Sequence, residues 1–304
     1  MGSMVGQTLE ATILAEFDRR RKEGVIFYDD NPEIQTYNFN GFQFEFAVTA
    51  AISKKPYIKD NGDEPAPNGT TAAKRPPGYA PGSDIDISGY EIGDVSPTHL
   101  WAFNKFCMYR PHLLLLTKDG YRRQYEPLDL DDIQSAWGAL ESLGWNYFMF
   151  FNCGKEGGCS RLHKHMQLTP YLKDRLAPWP EKVVTAASAK KPAGVPYEYI
   201  LRRFDADLGP KQITDMYEGM MNEAARILGL DPTAHIPHNF MLARNWMLVI
   251  PRTKAGYGGA YSNTLGMLGM VSVANRDELK CWMSQGPHKI IQELGVATSH
   301  TNGA

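Results

Sequence analysis

The apolar residues of this chain come in short runs separated by glycine, proline and polar turns, and this spacing constrains the fold more than any other feature. HLLLLTK (112–118) and WNYFMFF (145–151) have the length of buried strands. GFQFEFAVTA (41–50) alternates phenylalanine with other residues, which is typical of a half-buried strand. NFMLARNWMLVIP (239–251) is interpreted as a strand pair or as one long bent strand. No run approaches the roughly 20 apolar residues that span a bilayer.

Helices are predicted between these groups of strands. Residues 8–23 form one that stops at Gly24, residues 130–144 form a second with Asp129 as its N-cap, and residues 211–229 form a third. The strands cluster in hairpin-like groups and do not alternate regularly with helices. We therefore predict an α+β fold built on an antiparallel sheet with flanking helices.

A proline-rich stretch divides the chain into two halves. It covers residues 171–196, between an N-terminal half (1–170) and a C-terminal half (197–304), and both halves are rich in predicted strands. Two related halves, derived from an ancient duplication, are compatible with this arrangement. Residues 60–84 are rich in proline, glycine and small polar residues and are predicted to form a long loop, either a lid or an insertion.

Composition narrows the class of protein. Of 304 residues, 43% are hydrophobic and 22% are charged, which is typical of a globular protein. The formal net charge of −2 argues against nucleic acid or an anionic membrane as a partner, yet allows a local basic site for phosphate. Four cysteines without framework spacing, and an N-terminus without the pattern of a secretory signal, favour the cytoplasm, with the nucleus as an alternative. No oligomeric state is predicted.

The stretch RLHKHMQLTP (161–170) places His163, His165 and Gln167 at every second position. On a strand these three side chains share one face, because successive side chains point to opposite faces. The preceding turn, NCGKEGGCS (152–160), is rich in glycine, so its backbone can approach a ligand closely and present N–H groups to it. Imidazoles beside such a turn suit a phosphate ester, since neutral imidazole is a competent nucleophile near its pKa of about 6.5.

A zinc site is the alternative for the same stretch. Cys153, Cys159, His163 and His165 offer four ligands of the right type. Their spacing matches no established zinc pattern, and two histidines so close on one strand crowd a tetrahedral site. We therefore predict no metal site built from protein ligands.

The sequence FNCGKEGGCSRLHKHMQ (151–167) resembles the signature of the ATP adenylyltransferases, also called diadenosine tetraphosphate phosphorylases. That family, a branch of the histidine-triad superfamily near galactose-1-phosphate uridylyltransferase, typically shows N-S-G-x-x-S-G-[AS]-S-x-x-H-K-H-L-Q. The resemblance extends to FNKFCMYRPHLLLLTKDG (103–120), NFMLARNWMLVIPR (239–252), NTLGMLGMVSV (263–273) and GPHKIIQELG (286–295), in order. It implies a histidine-triad-like antiparallel sheet for nearly the whole chain from about residue 40.

The resemblance also assigns roles position by position. His165 aligns with the nucleophile that takes AMP as a covalent adenylyl-histidine, Gln167 with a glutamine that contacts the transferred phosphate, and His163 with an orienting residue. The implied substrate-binding residues are Lys55, Asn104, Lys105, Asn152, Gly158, Cys159, Ser160, Arg161, Asn263, Leu265 and Met270. An ordinary surface role for Lys55 and a core role for Leu265 and Met270 remain open.

The implied reaction is phosphorolysis of diadenosine tetraphosphate (Ap4A) to ATP and ADP. Its partners are a dinucleoside polyphosphate and inorganic phosphate, and its implied cofactor is Mg²⁺, bound mainly through the substrate's phosphates. Four positions depart from the family pattern: Cys153 and Cys159 stand where serine is common, Gly157 replaces another serine, and Ala274 stands where a lysine is usual. These departures keep open a different acceptor or nucleotide substrate, and a sensor that binds dinucleotides without turning them over.

Overall fold

The computed structural model describes residues 2–53, 80–185, 194–204 and 208–298, so Lys55 and most of the 60–84 loop lie outside the described residues. Within these ranges the helices are α1 (Gly2–Lys22), α2 (Leu130–Ser142), α3 (Trp179–Thr185), α4 (Pro210–Leu228), α5 (Thr264–Met267), α6 (Arg276–Gln285) and α7 (Pro287–Leu294). The strands, in chain order, are β1 (Phe27–Tyr28), β2 (Glu33–Phe39), β3 (Phe42–Val48), β4 (Glu91–Asp94), β5 (His99–Phe103), β6 (Phe106–Cys107), β7 (Leu113–Thr117), β8 (Tyr147–Cys153), β9 (His165–Pro170), β10 (Ile200–Arg203), β11 (His238–Leu242), β12 (Trp246–Pro251), β13 (Gly256–Tyr257), β14 (Ala260–Tyr261) and β15 (Met270–Val273).

Eight strands of the described chain form one sheet, in the order β10-β12-β11-β8-β9-β7-β5-β4. Every neighbouring pair in this sheet is antiparallel. The prediction of an α+β fold on an antiparallel sheet is thus confirmed. The stretch 239–251, left open between two forms, is a hairpin of β11 and β12.

A smaller sheet, β15-β3-β2, covers part of one face of the large sheet. In it β15 runs parallel to β3, unlike the pairs of the large sheet. Together with α6 and α7, its phenylalanines form one hydrophobic core with β8, β11 and β12. Helices α2 and α4 form a second core on the opposite face.

Strand β8 lies between these two cores, which explains its uninterrupted apolar sequence. Phe148 and Phe150 belong to the core with the small sheet, whereas Met149 and Phe151 belong to the core with α2 and α4. A strand buried on both faces shows no polar alternation. The sequence stretch WNYFMFF is therefore dictated by its central place in the sheet.

Helix α2 begins as its sequence predicts. The Asp129 side chain accepts a hydrogen bond from the Asp132 N–H, and the Asp132 side chain accepts one from the Asp129 N–H, which together form a capping box. This start places Asp132 against Lys164, in the segment just before β9.

The division into residues 1–170, 171–196 and 197–304 stays a prediction. The large sheet runs through both outer ranges, because β8 pairs with β11 in the register Asn152↔Asn239. Helix α3 lies inside the proline-rich range, and the Trp179 indole at its start contacts the Tyr197 hydroxyl. None of the helices in the described ranges has the length and apolar character needed to cross a membrane.

His238, at the start of β11, provides a pH-dependent test of the core formed with α2 and α4. Its Nδ1 lies 2.7 Å from the Ile236 carbonyl oxygen and its Nε2 lies 3.0 Å from the Tyr217 hydroxyl. Burial lowers the pKa of His238 to about 4. The unfolded chain, with a histidine pKa near 6.5, binds the proton more tightly, so protonation favours unfolding.

We expect the contribution of His238 to stability to be complete above pH 6.5 and to fall by about 3 kcal/mol as the pH drops to 4. Urea denaturation of the wild type and of His238→Gln at pH 7.5, 6, 5 and 4 measures it. The difference between the two proteins should shrink toward acid pH. Parallel pH profiles for the two proteins would contradict the assignment.

Candidate active site

His165 is the first residue of β9 and is 6% exposed. The neighbouring Lys164, Met166 and Leu168 face α2: the lysine binds Asp132, and the other two belong to the core with α2 and α4. Within β9 the predicted alternation is therefore observed, and His165 is directed to the opposite face of the strand. His163, which was predicted to lie on the same strand, lies in the segment before it and forms an isolated bridge with Arg123.

The His165 ring has a defined tautomer. Its Nδ1 lies 2.8 Å from the backbone carbonyl oxygen of His163. A carbonyl oxygen can only accept, so Nδ1 carries the hydrogen and Nε2 carries the lone pair. The backbone of the same motif thus selects which imidazole nitrogen can act as a nucleophile.

His163 is held on both ring nitrogens. Its Nδ1 lies 2.8 Å from Ser83 Oγ, and its Nε2 lies 2.9 Å from the Thr117 carbonyl oxygen and 3.0 Å from Thr117 Oγ1. Burial lowers the pKa of His163, which keeps the ring neutral near pH 7. The Asp84 carboxylate accepts from the backbone N–H groups of Leu162 and His163, each at 2.8 Å. This geometry suits an orienting role, with the His163 carbonyl as the group that orients His165.

Gln167 contacts a histidine that the sequence analysis did not single out. Its Oε1 lies 2.9 Å from Nε2 of His112, which in turn lies 3.4 Å from Nδ2 of Asn104. The buried imidazole of His112 thus contacts two of the predicted site residues, Gln167 and Asn104. The sequence contained one indication of this contact. His112 precedes Leu114 by two residues in PHLLLL, and Leu114 pairs with Gln167.

The glycine turn before the motif is packed too tightly for side chains. A Cβ on Gly157 would meet the carbonyl oxygen of Cys153 and lie 2.9 Å from that of His238. Gly158 has φ +81°, and a Cβ there would meet Ser262 and lie 3.0 Å from Cα of Asn263. The glycine at position 157, where the family often has serine, is therefore required by the path of the backbone in this chain.

Asn152 links the two halves of the chain. Its Oδ1 accepts from Thr264 N at 2.8 Å, from Thr264 Oγ1 at 2.7 Å and from Asn239 Nδ2 at 3.2 Å. Asn263 caps α5 by accepting from Gly266 N at 3.2 Å. Two residues predicted to bind substrate thus hold β8, β11 and the start of α5 together.

Arg252 is a buried cation that the sequence analysis also did not identify; it is 0% exposed. Among the described residues its guanidinium donates to five oxygens, those of Asn239 Oδ1 (2.5 Å) and of the carbonyls of Gly157 (3.5 Å), Lys254 (3.0 Å), Ser262 (3.0 Å) and Leu294 (3.2 Å). Burial lowers the pKa of Arg252 to about 9, which leaves it charged at neutral pH. The side chain joins the glycine turn to the loop before α5, and places a positive charge beneath both.

The remaining predicted residues lie in less defined contacts. Ser160 and Arg161 are half-buried, and Arg161 Nη1 donates to the Ser160 carbonyl at 2.9 Å. The Lys105 carbonyl accepts from Phe27 N. Leu265 and Met270 are buried in the core beside the small sheet.

Neither cysteine of the turn is activated. Burial raises the pKa of Cys159 to about 11 and raises that of Cys153 as well. Cys153 directs its thiol at the Tyr125 carbonyl, 3.5 Å away. Within the described ranges no three His, Cys, Asp or Glu side chains are grouped so as to hold a metal ion.

A buried ion pair lies on the other face of the motif. Lys164 Nζ lies 2.5 Å from Asp132 Oδ2 and 2.7 Å from the Pro127 carbonyl oxygen, while Asp132 Oδ1 lies 3.0 Å from Nε2 of His99. Burial opposes ionisation of Asp132, but the hydrogen bond from His99 and the charge of Lys164 hold its pKa well below the usual range. Lys164, the middle residue of H-K-H, therefore links the start of β9 to α2.

Arg252→Lys tests how strongly Arg252 holds the glycine turn and the loop before α5 together. Lysine offers three donors on a flexible stem in place of the planar five-donor fork, so at least two of the five acceptors lose their partner. We expect the free energy of unfolding to fall by about 2–4 kcal/mol, measured by urea denaturation. Arg244→Lys, at an exposed position of the same half, is the matched control and should change stability by less than about 0.5 kcal/mol. Equal effects of the two changes would contradict the role of Arg252.

Comparison with known proteins identifies the family. The family model "Ap4A phosphorylase N-terminal domain" matches residues 22–186, and the model "ATP adenylyltransferase C-terminal domain" matches residues 193–297. Diadenosine 5',5'''-P1,P4-tetraphosphate phosphorylase 2 of Saccharomyces cerevisiae is 24% identical over 284 residues, which cover 83% of this chain and 82% of the relative. Protein APA1 of the same organism is 25% identical over 62% of this chain and 64% of its own length.

The fold agrees with solved structures. The crystal structure of yeast Ap4A phosphorylase Apa2 in complex with Ap4A superimposes with a TM-score of 0.73 at 18% identity, covering 95% of this chain and 98% of the other. The complex of Apa2 with AMP gives a TM-score of 0.72 at 18% identity, covering 96% and 98%. These likenesses establish the fold. Because the first family model alone matches more than half of the 304 residues, this chain belongs to the Ap4A phosphorylase family, whose C-terminal domain is that of the ATP adenylyltransferases.

Proposed function

We propose that this protein is a nucleotidyltransferase that cleaves Ap4A with inorganic phosphate to give ATP and ADP, with His165 as a covalent nucleophile. The observation that carries the proposal is the hydrogen bond between His165 Nδ1 and the His163 carbonyl, which leaves the lone pair on Nε2. Family membership and the name of the yeast relative support the choice of substrate.

In the first step, Nε2 of His165 attacks the α-phosphorus of one adenosine of Ap4A. A P–N bond forms while the bond from phosphorus to the bridging oxygen breaks, and ATP departs with that oxygen. The adenylated ring still carries the hydrogen on Nδ1 and is therefore cationic, so the His163 carbonyl stabilises it at 2.8 Å. No base is needed, because the His163 carbonyl holds the hydrogen on Nδ1 and Nε2 already carries the lone pair that attacks.

In the second step, an oxygen of inorganic phosphate attacks the same phosphorus from the opposite side and releases ADP. The cationic imidazole leaves as a neutral ring, which makes it a good leaving group and restores His165. The sum of both steps is Ap4A + phosphate → ATP + ADP.

Groups around the nucleophile are suited to a polyphosphate. The backbone of the glycine turn is held by Arg252 and Asn239, which both contact the Gly157 carbonyl. Half-buried Arg161 and exposed Lys155 add positive charge to the same turn. We propose that Arg161 and Lys155, with Gln167, contact the phosphate oxygens on which charge accumulates, while buried Arg252 holds the turn from within.

We further propose that Mg²⁺ accompanies the substrate. Of the carboxylates that contact the motif, Asp84 already accepts two backbone hydrogen bonds and Asp132 is paired with Lys164. The donor set of the described residues thus fits Mg²⁺ bound to the phosphates themselves and not to a protein carboxylate cluster. The ion would supply charge neutralisation of the polyphosphate.

The direct test is chromatography of Ap4A incubated with the protein and magnesium, with and without phosphate. We expect ATP and ADP only when phosphate is present. His165→Ala should lower the rate by more than about 10³-fold, because the covalent step is lost. His288→Gln, at a half-buried histidine of α7, is the control and should retain activity.

Other outcomes would overturn the proposal in distinct ways. Binding of Ap4A without product over a long incubation would point to a dinucleotide sensor. Products formed equally without phosphate would point to hydrolysis, and products formed only with sulfate would point to a different acceptor.

A further inference from the structure

Strands β8 and β9 are no longer paired with each other at His165. Their last backbone pair is Phe150↔Gln167. Beyond that pair, the side chain of Gln124 lies between the strands and is 1% exposed. Its Nε2 donates to the carbonyl oxygens of Asn152 (3.1 Å) and His165 (3.0 Å), and its Oε1 accepts from the His165 N–H at 2.8 Å.

The carboxamide of Gln124 thus takes the place of the missing ladder hydrogen bonds. Both amide hydrogens and the oxygen are used, and two of the three bonds are to the peptide groups of the nucleophile itself. The backbone of Gln124 is fixed as well: its N–H donates to the Leu162 carbonyl at 2.8 Å, and its carbonyl accepts from Gly154 N at 3.1 Å. One residue therefore contacts β9, β8 and the glycine turn.

We propose that Gln124 is a positioning residue for adenylyl transfer, which fixes the peptide of His165 and thereby the direction of its Nε2. The inference rests on the proposed function, since it deepens the account of the same nucleophile. The His165 ring bonds to the carbonyl of His163, two residues away, so its aim depends on how firmly this short segment is held. A displacement of about 1 Å at a reacting atom costs on the order of 10²-fold in rate.

Gln124→Met tests the hydrogen bonds without changing the length of the side chain. We expect the single-turnover rate of ATP release from Ap4A to fall by about 10²-fold. The KM for Ap4A should change by less than about threefold, because the side chain of Gln124 is buried and bonds only to backbone groups, so that it acts through His165.

Gln124→Glu introduces a titratable carboxyl group at the same position. If Gln124 positions His165, the activity of this variant should depend on pH in a way that a purely structural role would not produce. A protonated glutamic acid can accept from the His165 N–H and donate to one carbonyl, whereas the ionised form faces two carbonyl oxygens and repels them. We expect this variant to lose activity relative to wild type as the pH rises, while circular dichroism shows that it stays folded at the assay temperature.

The matched control is Thr169→Val. Thr169 lies on β9 four residues after the nucleophile, is 0% exposed, and its hydroxyl has no hydrogen-bond partner among the described residues. The change keeps the shape and removes a hydroxyl from the same strand. Its rate and KM should equal those of wild type.

A readout independent of turnover is ¹⁵N NMR of the His165 ring in protein without substrate. Wild type and Thr169→Val should show a single tautomer with the hydrogen on Nδ1, whereas Gln124→Met should show a second population with the hydrogen on Nε2. This signal keeps its meaning even if Ap4A proves not to be the substrate. An unchanged tautomer and rate in Gln124→Met, or an equal loss in Thr169→Val, would overturn the proposal.

Discussion

The guanidinium of Arg252 lies where β11, the glycine turn and the loop before α5 meet. Removing a charge from water costs several kcal/mol unless its hydrogen bonds are replaced. Here the replacements are a side-chain amide oxygen and four backbone carbonyls, drawn from segments as far apart in sequence as Gly157 and Leu294. Because the charge is stable only when these segments converge, its burial couples the N-terminal motif to the C-terminal half.

The segment 163–165, which leads into β9, is held by two kinds of contact. Lys164 forms a buried ion pair with Asp132 of α2, whose position is fixed by the capping box with Asp129. The rings of His165 and His163 form hydrogen bonds to carbonyls and a hydroxyl that tolerate only one tautomer of each ring. The ion pair with α2 thus holds the backbone of the segment from which His165 presents the lone pair of its Nε2.

Local sequence patterns were sufficient for the parts of the site that depend on neighbours along the chain. Alternation predicted that His165 and Gln167 share a face of β9, although His163 lies before the strand, and Asp129 predicted the start of α2. Local patterns could not predict the contacts of Gln124, Ser83 and Arg252. Each of these residues contacts partners more than 10 residues away in the sequence or across the sheet. Gly157 was interpreted as a lost serine, whereas the packing against Cys153 and His238 shows why no Cβ fits there.

The same limit applies to the predicted substrate residues. Asn152 and Asn263 are engaged in contacts within the protein, and Leu265 and Met270 lie in the core. Alignment to a family motif identifies the position but not whether a side chain acts on the substrate or on the loop that carries it. For Asn152, whose oxygen accepts three hydrogen bonds from Thr264 and Asn239, the second role is the one the geometry supports.

In the proposed mechanism, His165 becomes covalently adenylated through Nε2. Intact-protein mass spectrometry after mixing with Ap4A in the absence of phosphate tests it most directly, followed by peptide mapping under conditions that preserve phosphoramidates. The account predicts a mass gain of one adenylyl group, located on His165 and removed when phosphate is added with release of ADP. Phosphate-dependent turnover without any adduct, or an adduct on another residue, would contradict it.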